Sequence, residues 1–118
     1  MDSPETLSYT TCSIDMHFAK ADLVSSVQLL LSVKGPITAK RGCRACGVEL
    51  DAAETGFVHY REEWDADEAF HRHLQSEEFR RVLFAIDLCC EEPQIVVGKV
   101  SGYRGMPYLR KLCEEEHR

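Results

Sequence analysis

The sequence has few basic residues and no long apolar run. Apolar stretches such as Leu29–Leu31 are far shorter than the ~20 residues that a membrane helix needs. No basic and apolar leader follows Met1, which favours a cytoplasmic protein. Fourteen Lys and Arg against twenty Asp and Glu give a net charge of −6. Because nucleic-acid binding depends on basic groups placed at phosphates, we expect neither a nucleic-acid nor a membrane partner.

Motifs of several enzyme classes are also absent. The chain has no Gly-rich phosphate loop, no H-E-x-x-H zinc motif and no G-x-S-x-G nucleophile elbow. These absences argue against nucleotide-dependent chemistry, zinc proteolysis and esterase chemistry. His17 and His59 lie on predicted strands, but two histidines without a third ligand do not define a metal site. We therefore predict no metal.

The composition is that of one folded domain. The chain has 118 residues, of which 44% are hydrophobic and 29% charged. We expect a single domain over 1–118, with a core at about 10–103. Six cysteines without a leader favour reduced thiols. Cys43 and Cys46 have C-x-x-C spacing but begin a predicted strand rather than a helix, so small buried side chains are the favoured interpretation.

Hydrophobic periodicity predicts four strands and at least three helices. Alternating apolar residues predict strands at 10–18, 43–50, 56–64 and 95–103. A helical stripe over 23–31 is expected to end at Gly35-Pro36, and a basic loop with Lys40, Arg41 and Arg44 follows it. Asp65 is expected to cap the next helix, and Ser76 to cap the chain again. A last helix is expected at about 106–116.

The predicted order is β-α-β-β-α-β with a C-terminal helix, the ferredoxin-like split arrangement of an α+β protein. The segment 60–79 resembles the signature of the antibiotic biosynthesis monooxygenase family. In that family, Glu-x-(Trp/Tyr) ends a strand, and an acidic helix start, an alanine, a histidine and Ser/Thr-x-x-(Phe/Tyr) follow. The matching residues are Glu62, Trp64, Ala69, His73, Ser76 and Phe79.

The resemblance extends in element order and length over about 10–103. It implies a homodimer in which two four-stranded sheets pack into an α+β barrel. Family members include oxygenases without metal or flavin, haem-degrading enzymes and an isomerase of a sugar phosphate. Haem-degrading members carry Trp at the place of His73 and a haem-ligating His near Leu83. Because this chain has neither residue, we reject haem degradation and expect no cofactor.

His73 is the first candidate for chemistry. On the predicted helix it lies at the edge of the apolar stripe marked by Phe70, whereas His71 points about 160° away from His73. A titratable ring directed at the sheet is suited to accept or donate a proton near neutral pH. The alternative is a core histidine whose ring nitrogens bond to backbone carbonyls.

Glu62 is the second candidate, since it shares a strand face with Tyr60 and Trp64. If that face is turned to the helix, Glu62 would bond to His73, fix its tautomer and stabilise its charged form. The alternative is an ion pair with a basic residue at the dimer interface, because perturbed acids are often merely paired. Both interpretations stay open at this point.

Four side chains are candidates for the wall of a substrate-binding pocket. Aromatic and aliphatic stripes are more often plain core, and that is the alternative for this set as well. The four candidates are Tyr60, Trp64, Phe79 and Leu83.

The leading hypothesis is a cofactor-independent, monooxygenase-like protein that oxidises a small quinol or phenol-type substrate with O2. His73 would accept the proton and Glu62 would orient it. One alternative is an isomerase of a small hydroxyketone or sugar phosphate that uses the same pair. The other is a non-catalytic dimeric module that binds a small ligand.

Three different cavities would separate these hypotheses. A closed apolar pocket around His73 would favour the oxygenase. A basic, phosphate-sized recess near Arg61 or Arg44 would favour the isomerase. A cavity filled by Trp64 and Phe79 would leave the binding module.

Overall fold

The computed structural model describes residues 8–102 and 104–116 and contains one four-stranded sheet with helices. The elements are β1 (Ser8–His17), α1 (Lys20–Thr38), β2 (Cys43–Leu50), β3 (Phe57–Trp64), α2 (Asp67–Leu74), α3 (Glu77–Asp87), β4 (Gln94–Ser101) and α4 (Met106–Glu116). This order confirms the α+β ferredoxin-like arrangement, with α2 and α3 together in the place of the second helix. The predicted strand end at Tyr103 lies outside the described residues. Among the helices described, none has both the length and the apolar character that crossing a membrane requires.

The sheet has the order β2-β3-β1-β4, and all three pairings are antiparallel. Glu62 on the inner strand β3 lies opposite Cys12 of β1 on one side and Cys46 of β2 on the other. Because side chains alternate along a strand, these three residues share the face that the helices cover. Glu62 therefore occupies the middle of the sheet.

The core lies between this face of the sheet and the helices, with α1 packed on β2 and on α3. A Trp, a Tyr and a Phe are its largest fully buried apolar side chains. Sixteen hydrophobic residues are buried in this core: Cys12, Ile14, Met16, Phe18, Leu30, Val33, Ile37, Cys46, Val58, Tyr60, Trp64, Ala69, Phe70, Phe79, Val82 and Ala85.

Two predicted helix boundaries are wrong. Helix α1 continues through Pro36 to Thr38, because Ile37 is fully buried one turn after Val33 and its packing holds the last turn. Helix α2 is capped by Ala66 without a side-chain hydrogen bond, and not by Asp65. The predicted cap at Ser76 is confirmed, since its hydroxyl accepts a hydrogen bond from the amide of Phe79 at 3.2 Å.

The loop 39–42 after α1 is held tightly against α2. Gly42 has a φ of +88°, and a Cβ built on it would lie 2.7 Å from the Cβ of Ala69. The carbonyl of Gly42 also accepts a hydrogen bond from the amide of Asp65 at 2.7 Å. This close approach fixes the position of Lys40 and Arg41 relative to α2.

Helix α4 extends away from the rest of the fold. The radius of gyration is 17.1 Å, whereas a compact domain of this length has about 13 Å. Within the described residues α4 makes at most sparse contact with the other elements. Its apolar side chains Tyr108, Leu109 and Leu112 are exposed, and so are Ile95 and Val97 on the edge strand β4.

We expect Gly42→Ala to destabilise the protein by more than about 1 kcal/mol, because the new Cβ meets Ala69 in a backbone conformation that favours glycine. Gly47→Ala on β2 is the matched control, since a Cβ there would have no neighbour within 4 Å. Urea unfolding of both variants measures the difference. Equal midpoints for the two variants would contradict the close approach.

Candidate active site around Glu62 and His73

A buried carboxylate organises the site. The Glu62 side chain is fully buried, and both of its oxygens accept hydrogen bonds. The indole Nε1 of Trp64 donates to Oε1 at 2.9 Å, and the imidazole Nε2 of His73 contacts Oε2 at 2.9 Å. The hydroxyl of Tyr60 donates to the same Oε2 in a short hydrogen bond. A buried charge is expensive unless it is paired and hydrogen-bonded, and these three donors satisfy that condition.

Tyr60 is a fixed hydrogen donor in this cluster. Burial and the neighbouring Glu62 carboxylate raise the pKa of Tyr60 far above its ordinary value. The phenol therefore keeps its proton at every physiological pH and donates a hydrogen bond to Glu62. The thiol of Cys46 donates in turn to the Tyr60 oxygen at 3.5 Å.

The two ring nitrogens of His73 have different partners. Nδ1 lies 2.9 Å from Nζ of Lys40, and an ammonium group can only donate. Nδ1 is therefore the acceptor, and the proton is on Nε2, which donates to Glu62. The hydroxyl of Ser76 lies 3.4 Å from Nδ1 on the same side of the ring. The contacts of both nitrogens thus select one neutral tautomer.

Aromatic side chains hold the imidazole plane. The ring of Trp64 stacks on His73 with a centroid distance of 4.7 Å, and Phe79 meets the ring edge-on at 5.3 Å. The space on these sides of His73 is therefore filled by side chains.

A basic recess of about 250 Å³ lies between the loop 39–42 and α2, and the fully buried His73 is one of the residues that line it. Three of its lining side chains are cationic and none is a carboxylate. The residues that line it are Lys40, Arg41, Trp64, Ala69, Arg72 and His73.

Lys40 connects this recess with α3. Its ammonium lies 2.8 Å from Oε1 of Glu78 as well as 2.9 Å from His73. The hydrogen bond from Lys40 holds the pKa of the Glu78 carboxyl below its ordinary value. Lys40 therefore bridges a surface carboxylate and the buried pair.

The structure brings together five of the six residues that the sequence indicated. Glu62, His73, Tyr60, Trp64 and Phe79 form one contact cluster, as the hydrogen bonds and ring distances show.

Leu83 lies elsewhere on α3, is 46% exposed and does not line the recess. The residues missed as site residues are Lys40, Arg41 and Arg72. The available signal was the basic loop that follows α1, together with an arginine adjacent to His73. The basic recess lies there, and not at Arg44 or Arg61.

Four of the six cysteines are unsuited to thiolate chemistry. Burial raises the pKa of Cys12 to about 12 and that of Cys46 to about 11. Burial also raises the pKa of Cys43 and of Cys89. All six cysteines are free thiols.

A second cluster lies at one end of the open sheet face. His59 bonds through Nδ1 to Asp15 at 2.7 Å and through Nε2 to Asp51 at 3.0 Å, and His17 bonds to Glu91 at 2.7 Å. Over the part of the chain that the structure describes, no group of three or more potential ligands could hold a metal ion. Hydrogen bonds to Asp15 and Asp51 raise the pKa of His59.

Comparisons with known proteins establish the fold. No family model and no curated protein matches the chain. A protein from Deinococcus radiodurans, named as a candidate antibiotic biosynthesis monooxygenase, matches with a TM-score of 0.74 at 17% identity over 82% of this chain and 97% of its own. A protein of the same description from Nitrosomonas europaea matches with a TM-score of 0.67 at 11% identity over 83% and 98%. The chain shares their fold.

A third similar structure is a conserved protein of unknown function from Bacteroides thetaiotaomicron, for which an oxidoreductase role has been suggested. It matches with a TM-score of 0.68 at 12% identity over 81% of this chain and 99% of its own. At such identities the likeness is one of fold, and the reaction has to be argued from the site.

We expect Glu62→Gln to destabilise the protein by about 1–3 kcal/mol, because one buried donor around residue 62 loses its acceptor. Glu63→Gln is the control on the same strand. Its ion pairs with Arg44 and Arg61 span 3.8 and 3.6 Å, and their loss should cost less than about 1 kcal/mol. Urea unfolding measures both, and equal destabilisation would contradict a carboxylate at the centre of the site.

The raised pKa of His59 predicts a pH-dependent contribution to stability. Protonated His59 stabilises the fold at low pH, and that contribution is lost as the pH rises through the folded-state pKa. The difference in urea midpoint between wild type and His59→Asn should therefore be larger near pH ~6 than near pH ~9. In an Asp15→Asn/Asp51→Asn background the pH dependence of this difference should disappear; its persistence there would refute the assigned cause.

Proposed function

We propose that the protein removes a proton from a small quinol or phenol-type substrate and that the resulting anion is oxidised by O2 without a resident cofactor. The observation that carries the proposal is the arrangement at His73. Its Nδ1 lone pair is directed to the recess, while its Nε2 proton is held by the buried Glu62. A carboxylate at one nitrogen makes the other a better base, because it stabilises the imidazolium that forms.

Lys40 occupies the position that a substrate hydroxyl would take at Nδ1 of His73. Lys40 also forms an ion pair with Glu78 at 2.8 Å. Its ammonium can therefore move away from the His73 ring and still have a carboxylate partner. The substrate hydroxyl then gives its proton to Nδ1 and becomes an electron-rich anion. Trp64 and Phe79 keep the ring plane fixed during this exchange.

The oxidation balances without an external reductant. A quinol that reacts with O2 yields a hydroxyquinone and water: one oxygen atom is inserted at a ring carbon, and the other leaves as water. The quinol supplies all four electrons. Proton removal is the step that the protein's own residues promote, and the fold shared with proteins named as monooxygenases supports the O2 step.

A second candidate function is isomerisation of a small hydroxyketone or sugar phosphate. The basic recess favours it, since three cations lie beside the same base, where the oxygenase was expected to have a closed apolar pocket. His73 would take a proton from the carbon next to the carbonyl and return it to the neighbouring position, without O2 consumption. A non-catalytic ligand-binding module would use the recess without proton transfer.

We also propose that the working form is a homodimer. Exposed apolar side chains lie on the edge strand β4 and on the outlying helix α4. A second copy of the chain would cover both surfaces at once, because each copy offers an apolar helix and an apolar sheet edge.

Oxygen uptake by metal-free protein with a panel of hydroquinones and naphthols tests the oxygenase. We expect uptake above the autoxidation rate that falls by about 10²–10⁴-fold in His73→Ala, because the proton acceptor is lost. His71→Ala is the matched control, since His71 is exposed on the same helix and should leave the rate unchanged. Uptake that survives in His73→Ala would contradict this site, and no uptake with any substrate would contradict the oxygenase.

Light scattering of a Leu109→Asp/Leu112→Asp variant tests the dimer. We expect a dimeric wild type and a monomeric variant, because the two charges would enter the interface that α4 forms. Deletion of residues 105–118 should have the same effect. If both variants still have the mass of a dimer, α4 does not contribute to association.

A further inference from the structure

We propose that the recess formed by Lys40, Arg41 and Arg72 is a binding site for the anionic group, carboxylate or phosphate, of the substrate. This inference rests on the proposed function, because it assigns the part of the substrate that lies beside His73. It is drawn from the charge and geometry of the recess. None of the residues that line the recess is acidic.

Two of the three cations have no partner within residues 8–102 and 104–116. The side chains of Arg41 and Arg72 are exposed and make no hydrogen bond, ion pair or ring contact with any other described residue. Among the other arginines, Arg61 lies 3.6 Å from Glu63 and Arg80 lies 3.5 Å from Glu77, whereas the side chains of Arg81 and Arg110 also have no such partner among the described residues. In a chain with twenty acidic and fourteen basic residues, two arginines left unpaired in one recess are available to an anion.

The fold holds these cations together in spite of their mutual repulsion. Gly42 lies so close to Ala69 that a Cβ built on the glycine would be 2.7 Å from the Ala69 Cβ, and Arg72 follows Ala69 by one helical turn on α2. The loop cations and the helix cation therefore face one another across the recess. Among the described residues, Glu78 is the one carboxylate in contact with this group, and it lies 2.8 Å from the Lys40 ammonium.

The size of the recess limits the ligand. A volume of about 250 Å³ is below the usual range of ligand pockets, so it suits one small anionic group joined to a single ring or a short chain. Guanidinium groups bind carboxylate and phosphate through paired hydrogen bonds, and these oxyanions are the ligand class that two free arginines favour.

Anion binding would also expose the base. Lys40 donates to Nδ1 of His73 when the recess holds no ligand. An oxyanion seated between Arg41 and Arg72 attracts the Lys40 ammonium, which then leaves Nδ1 free to accept the substrate proton. The same group that is recognised would thus release the proton acceptor.

The experiment titrates inorganic phosphate and, separately, acetate into the full-length protein, with chloride added to keep the ionic strength constant. Fluorescence of Trp64 is the readout, because it is the only tryptophan and it lines the recess. We expect a saturable change with at least one anion, and the tighter of the two identifies phosphate or carboxylate as the recognised group.

The Arg41→Gln/Arg72→Gln variant should weaken this binding by roughly tenfold or more, because two charge-assisted contacts are lost. Both arginines are exposed, so the variant should fold, and circular dichroism checks that. Arg80→Gln removes one positive charge outside the recess and should bind as wild type does. No saturable change with either anion, or equal binding by the double variant, would overturn the proposal.

This test is independent of turnover. Anion binding that is lost in the double variant supports the recess even if no hydroquinone is oxidised, and in that case only the oxygenase fails. Oxygen uptake without any saturable anion effect would support the oxygenase and overturn the anion-binding recess.

Discussion

The burial of one carboxylate in the middle of the sheet determines the arrangement of the site. Glu62 lies on the helix-covered face of β3 with no access to water, and three donors compensate its charge. Each donor is thereby fixed in turn: the indole of Trp64, the phenol of Tyr60 and the imidazole of His73. Because a buried carboxylate must be hydrogen-bonded, Glu62 fixes the positions of the side chains around it.

The chain of contacts continues outwards from this centre. His73 connects Glu62 with Lys40, and Lys40 connects the ring with Glu78 on the surface. The resulting sequence of charges is carboxylate, neutral imidazole, ammonium and carboxylate. It ends at a recess that is open to ligands and basic, so the buried and the exposed parts of the site form one electrostatic unit.

The fold and the buried half of the site could be predicted from the sequence, because both depend on local periodicity. Alternation along β3 places Tyr60, Glu62 and Trp64 on one face, and the helical stripe of α2 places His73 opposite them. The exposed half could not be predicted, since it depends on contacts between distant segments. Arg72 and Lys40 line the same recess because Gly42 allows the loop to approach Ala69 closely.

Two helix boundaries also could not be predicted from the local sequence. Pro36 is a strong local signal for a helix end, but the burial of Ile37 outweighs it. Asp65 is a residue type that often caps helices, but its backbone amide donates a hydrogen bond to the carbonyl of Gly42 and the helix starts later. In both cases tertiary packing decides the outcome between two acceptable local structures.

Nitrogen NMR of the His73 imidazole tests the account most directly. We expect a single neutral tautomer near neutral pH, with the proton on Nε2 and a bare Nδ1 that accepts from Lys40. In Glu62→Gln this preference should weaken, because the acceptor for Nε2 is lost. A proton on Nδ1, or rapid exchange between tautomers in the wild type, would contradict the claim that Glu62 and Lys40 together hold His73 as a base directed at the recess.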